Sequence, residues 1–165
     1  MVNQINAALD WESIRDDLAA QKHLVVSDIF EQSFADKIED CLKTKVPWQI
    51  AYRDGDKDVA VNQQQLRART PEQNRAFHTA LMKQAQQEYQ FYYNRYPMID
   101  AYVQGQNQGL FLHEVTEYLN GEDFLKFAHF ITGDTEIRKS EPQANCYIPG
   151  NFLKLHNDFA SKEYD

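Results

Sequence analysis

The sequence predicts an α+β fold, with helices in front and strands behind, on three observations. Apolar residues recur at helical spacing, with capping residues at the segment ends, as far as Gly133. Beyond Gly133 the pattern changes to short alternating segments parted by turn residues. Aromatic residues make up 13% of the 165, ten Phe and nine Tyr among them, enough to build a core in one compact domain.

The elements follow in order. Ala7, Trp11, Ile14 and Leu18 fall on one face of a helix near Asp10 to Ala20. His23 to Val26 leads into an apolar stretch ending at Phe30 that reads as a strand. Ser33 offers an N-cap for a second helix whose stripe is Phe34, Ile38 and Leu42, and Pro47 closes it. Trp48 to Tyr52 alternates as a strand should, and Asp54-Gly55 signals a turn. The strongest helix signal opens at Thr70-Pro71-Glu72-Gln73, a capping box with proline at the first helical position. Its apolar face runs through Phe77, Leu81, Ala85, Tyr89, Tyr92 and Tyr96 until Pro97 ends it. Aromatics at that spacing are core side chains more often than a binding strip.

Two more helices, near Leu110 to Leu119 and Glu122 to Ile131, are parted by Asn120-Gly121, with Gly133 as a C-terminal cap. Strands are then expected at Glu136 to Lys139, Ala144 to Ile148 and Phe152 to Asp158. Pro149-Gly150-Asn151 forms a type II turn between the last two. The domain organisation read this way is a single domain, helical support over about 1–133 and first core strands over about 134–165. A sheet opened so late leaves unpaired edges, which favours further chain or self-association into a homo-oligomer.

Composition narrows the function. The net charge is −8, from 25 acidic against 17 basic residues, and such a chain repels phosphate backbones; nucleic acid is not an expected partner. No apolar run is long enough to cross a bilayer, and Met1 to Leu18 lacks the basic and apolar regions of a secretory signal. Cys41 and Cys146 lie far apart outside any CxxC pattern, which suits a reducing cytoplasm; Cys146 reads as a buried, inert thiol. No Gly-rich phosphate loop, GxSxG elbow or HExxH pair is present. Glu114 and Glu117 read as solvated helix residues.

The chemistry-bearing residues come late. On a strand, side chains two apart share a face, so His156 and Asp158 are able to present an imidazole and a carboxylate together. Those are two corners of a 2-His-1-carboxylate site for iron(II). Taken alone, a His-x-Asp spacing is commonplace, and a surface His and Asp near a loop is the favoured reading of it.

The residues around the pair change that weighing. Tyr147, Gly150, Leu153, His156 and Asp158 resemble the Y-x-x-G-x-x-L-x-x-H-x-D pattern of the prolyl 4-hydroxylase-like 2-oxoglutarate oxygenases, most nearly the ribosomal-protein prolyl hydroxylases and related bacterial enzymes. The likeness is sharp over Ala144 to Asp158 and diffuse before it. It implies a helical front leading into a double-stranded β-helix, or jelly-roll. It implies His156 and Asp158 as iron ligands and Tyr147 as a contact to 2-oxoglutarate. It further implies Fe(II), 2-oxoglutarate and O2 as the reacting set, with ascorbate as an accessory reductant. The substrate it implies is a prolyl residue of a protein or peptide, with a free amino acid behind it. Related halogenases carry a small residue in place of the carboxylate, so Asp158 argues for hydroxylation.

The family also needs a second histidine after the aspartate, and a basic residue beyond that for the far carboxylate of 2-oxoglutarate. Phe159 to Asp165 supply neither, and His23, His78, His113 and His129 all lie upstream. The catalytic site is therefore expected to be incomplete within these residues and the jelly-roll truncated. The alternative from another class is a non-catalytic binding or assembly module, permitted by the acidic, Gln-rich surface and the tyrosine stripe.

Overall fold

The computed structural model describes residues 3–156. The order is α1 (Trp11–Gln21), α2 (Gln32–Thr44), β1 (Gln49–Asp54), β2 (Lys57–Asn62), α3 (Gln63–Arg67), α4 (Pro71–Gln87) and β3 (Phe91–Tyr96). Then come α5 (Met98–Val103), α6 (Phe111–Leu119), α7 (Glu122–Thr132), β4 (Ala144–Cys146) and β5 (Phe152–Leu153). Helix and antiparallel sheet are mixed, an α+β fold. The chain divides into two compact units, each drawn from separate stretches: residues through Val46 with Pro97–Ala144, and Pro47–Tyr96 with the chain from Asn145. Three strands precede residue 133, where the sequence pattern points to helical support. Among the described residues no helix is long and apolar enough to cross a membrane.

The first unit is helical, and aromatic rings fill its core. Asp10 caps α1 through its side chain, accepting from the Ser13 N–H, and Lys22 ends the helix in the left-handed region. Trp11 meets Phe127 of α7 edge-on at 5.1 Å. Phe34 of α2 meets Tyr118 of α6 at 5.3 Å and Phe30 at 5.4 Å. Edge-to-face pairs of this kind add about 0.5–1.5 kcal/mol each beyond the burial of their area. The Tyr118 hydroxyl donates to Asn3 Oδ1 and accepts from the Gln4 N–H, tying the N-terminal segment to the core.

Two strands expected in this unit do not form. Between His23 and Phe30, Asp28 sits at a positive φ that breaks an extended run, and Val25 is 90% exposed. Only the end of the segment pairs, as a single bridge from Phe30 to Ile5. Glu136 to Lys139 is likewise not extended: His129 Nε2 bonds the Ile137 carbonyl and the Arg138 guanidinium bonds the Thr135 carbonyl, local ties that replace a ladder. Ser33 is not the cap of α2, which begins after Glu31 without a side-chain cap.

The second unit is built on the sheet, in strand order β2-β1-β3-β4, with β5 also paired to β3. The β1–β2 hairpin pairs Asp54 with Lys57, leaving Gly55-Asp56 as a two-residue loop. Gly55 has φ +62, the conformation a II′ turn wants at its first loop position. Tyr92 of β3 stands between Tyr52 of β1 and Phe152 of β5. Helix α4 packs on one face of this sheet through Phe77 against Tyr52 at 4.8 Å and His78 against Tyr92 at 5.1 Å. The capping box of Thr70 and Gln73 is formed at its start.

Helix α4 ends at Gln87, so the periodic run of tyrosines is not one helical face. Tyr92 and Tyr96 belong to β3, and both are buried, as core residues should be. Gln90 explains the change. Its fully buried side chain donates to the Arg53 carbonyl at 2.7 Å and accepts the Arg53 N–H at 2.8 Å, so it prolongs the β1–β3 ladder. Leucine at this position takes the side-chain partner from three backbone groups, the Arg53 N–H and carbonyl and the Phe91 N–H. Gln90→Leu is expected to cost roughly 1–3 kcal/mol in urea unfolding; an unchanged midpoint would show that Gln90 is not what holds these strands in register.

Candidate functional site

The candidate site lies on the second unit, where β3 carries the segment from Asn145 onward. Ile148-Pro149-Gly150-Asn151 forms the expected turn. The Asn151 N–H donates to the Ile148 carbonyl at 2.9 Å, and Gly150 has φ +94, as the third position of a type II turn requires. Asn94, buried within β3, fastens this turn: its Nδ2 donates to Asn151 Oδ1 at 3.1 Å and to the Cys146 carbonyl at 3.2 Å. Asn151 Oδ1 also accepts the Ile148 N–H. One asparagine therefore sets where Tyr147 leaves the strand.

Tyr147 stacks on Tyr93 with ring centres 5.2 Å apart and planes at 23°. Burial, and then the neighbouring Tyr93 phenol, push the Tyr147 hydroxyl above its ordinary value. It stays a hydrogen-bond donor through neutral pH, as binding a carboxylate requires.

β5 covers only Phe152–Leu153, shorter than the strand expected to reach Asp158. His156 therefore lies past the end of the strand. Its position is set by Lys154, whose N–H donates to the Gln90 carbonyl while its ammonium donates to the Ala85 carbonyl at 2.6 Å and to that of Glu88. A cation on the last carbonyls of α4 is well matched to that end of a helix. The exposed His156 ring lies 5.7 Å from Tyr89. Its Nδ1 is 3.0 Å from the Lys154 carbonyl. A carbonyl only accepts, so this contact calls for the proton on Nδ1.

Asp158 lies outside the described residues, so the proposed ligand pair is represented here by His156 alone. Among the described residues no group of three His, Cys, Asp or Glu side chains is placed to hold a metal. Cys146 is free and half-buried, less enclosed than expected of an inert core thiol; Cys41 is the fully buried one.

Ring contacts join the two predicted residues without a break. Tyr147 meets Tyr93, Tyr93 meets Phe91 at 5.5 Å, Phe91 meets Tyr89 at 5.9 Å, and Tyr89 meets His156. The residues under Tyr147 and His156 are four apart along the chain, an interval of about 13 Å. Asn94, Tyr93, Tyr89 and Lys154 escaped sequence reading. The alternation within Phe91-Tyr92-Tyr93-Asn94-Arg95-Tyr96 was the available signal for the first two. The chain matches no protein-family model, no curated protein and no solved structure.

Proposed function

We propose that this chain is the front part of an iron(II)- and 2-oxoglutarate-dependent dioxygenase of the prolyl-hydroxylase-like type, whose helices and first strands lead into a double-stranded β-helix. The observation that carries this reading is the run Tyr147-x-x-Gly150-x-x-Leu153-x-x-His156-x-Asp158. The turn at Gly150, the donor state of Tyr147 and the contact of His156 Nδ1 with the Lys154 carbonyl support it. His156 and Asp158 would hold the iron, and Tyr147 would donate to a carboxylate of 2-oxoglutarate. Bound iron with 2-oxoglutarate and O2 supplies the oxidising power that converts a C–H bond to C–OH, leaving succinate and carbon dioxide. The chain's own part is to fix the imidazole through Lys154 and to orient the co-substrate through Tyr147. The proposed substrate is a prolyl residue of a protein or peptide, ahead of a free amino acid. The free thiols Cys41 and Cys146 suit the cytoplasm.

The reading requires a second histidine, then an arginine or lysine, in coding sequence beyond Asp165. The test is made on the chain as its gene encodes it. Fe(II)-dependent release of CO2 from 2-oxoglutarate, matched by succinate, is the expected result. A coding sequence without those two residues, or no iron-dependent turnover, turns the assignment toward a binding module.

A further inference from the structure

A cavity of about 260 Å³ opens in the first unit between α5, α6 and the segment that follows α7. Ile99, Tyr102 and Val103 of α5 and Thr116 of α6 give it walls that are almost wholly apolar. Its shape is set by local bonds. The Asn120 side chain, at the end of α6, accepts the Ser140 N–H at 2.8 Å and donates to the Thr116 carbonyl at 3.0 Å, which holds the third wall against the helix. The Tyr102 hydroxyl donates to Glu117 Oε1 at 2.9 Å and braces α5 on α6. That bond, and then the charge of Glu117, hold the hydroxyl above its ordinary value, so it stays a donor at neutral pH. Sites for drug-sized molecules run to about 300–1,000 Å³, and this one has room for a single side chain.

The mouth of the cavity is negative. Glu117, Lys139 and Glu141 border it and are all exposed, two carboxylates against one ammonium. Lys139 pairs with Glu141, which leaves the charge of Glu117 in excess. Glu117 stands in the last turn of α6, which carries no basic residue, and α5 has none in its last turn either. The carbonyl end of a helix favours a cation, and a carboxylate beside it adds to that preference. An apolar stem tipped by an ammonium meets the walls and the mouth together, since the stem lies on hydrocarbon while the tip stays wet. One oxygen of Glu117 is already engaged by Tyr102, so the fork of arginine does not find two open oxygens, whereas an ammonium needs only one. Val103 on the rim is 77% exposed, surface that peptide backbone flanking such a side chain covers and a free amine does not. We propose that this cavity receives a lysine side chain of a partner protein, its stem on Ile99, Tyr102 and Val103 and its ammonium at Glu117.

The test titrates a blocked peptide, one lysine between glycines, into isotope-labelled protein and follows the backbone amides of Tyr102, Val103 and Glu117 by NMR. Those amides are expected to shift together and to saturate. Peptides with acetyl-lysine or norleucine in place of the lysine are expected to bind roughly fivefold more weakly, the range of a solvent-exposed ion pair. The arginine peptide falls between them and the lysine peptide. Glu117→Gln brings the lysine peptide down to the affinity of the norleucine peptide and leaves the norleucine peptide unchanged. Val103→Ser weakens both, which a bare ion pair without the apolar wall does not predict. Absence of a saturable shift, equal binding of the lysine and norleucine peptides, or a lysine preference that survives Glu117→Gln overturns the proposal. Tighter binding of n-butylamine than of the lysine peptide overturns it too, because the cavity then serves a free amine. Should Glu117→Gln melt early, the peptide series on the wild type and on Val103→Ser decides it.

Discussion

If the proposed oxygenase reading holds, alanine at His156 or at Asp158 is expected to abolish iron-dependent consumption of 2-oxoglutarate by the encoded protein, a fall of at least about a hundredfold. Loss of an outer-sphere partner at a metal site already costs about 10–100-fold, and a direct ligand does more. The two variants differ in kind. Removing Asp158 removes an anion as well as a donor, so iron affinity is expected to suffer most there. Removing His156 also frees the Lys154 carbonyl that orients its ring. His23→Ala serves as the control, since His23 is an exposed histidine of the first unit. Tyr147→Phe has a separate signature. If Tyr147 donates to a 2-oxoglutarate carboxylate as proposed, loss of that hydrogen bond is expected to raise the half-saturating 2-oxoglutarate concentration about tenfold or more, with kcat little changed. Turnover that survives both alanine substitutions means that the iron sits elsewhere.

What was legible in the sequence was local chemistry. Thr70 with Gln73, Asp54 with Gly55, Gly133, and Pro149 with Gly150 each satisfy a backbone requirement within a few residues, and the structure realises each of them. What failed was decided by distant partners. In Phe91–Tyr96 one face is buried and the other half-buried, but both carry aromatic residues and its tyrosines happen to continue the spacing of α4, which masks the strand. The strand exists because β1 and β5 flank it and Gln90 pairs with Arg53 across 37 positions. His23 to Phe30 shows the converse: β-branched residues suited to a strand find only one bridging partner. At the candidate site, the spacing of Tyr147, His156 and Asp158 could be read directly. The supports that orient Tyr147 and His156, Asn94 and Lys154, could not, because each acts on residues far along the chain.

Tyr118→Ala is expected to destabilise the first unit by about 3–5 kcal/mol, the range for deleting a large buried aromatic. Its ring touches Phe30, Phe34 and Phe124, and it is 2% exposed, so nothing nearby is free to fill the void without moving other rings. Against a typical total of about 5–15 kcal/mol, that loss threatens the fold of the unit. Tyr118→Phe separates the ring from the hydroxyl: it keeps the packing and removes the ties to Asn3 and Gln4, at about 1 kcal/mol. The hydroxyl also gives the native chain a pH dependence. Burial pushes Tyr118 above its ordinary value, so the folded state holds this proton more tightly than the unfolded state. The resulting stability is fully present below about pH 10 and is lost as pH rises through the folded value. Urea unfolding followed from pH 8 upward should show wild type losing its advantage over Tyr118→Phe above about pH 10. Parallel curves for the two proteins would mean that the hydroxyl is already exposed to solvent, and that the N-terminal segment is not held by it.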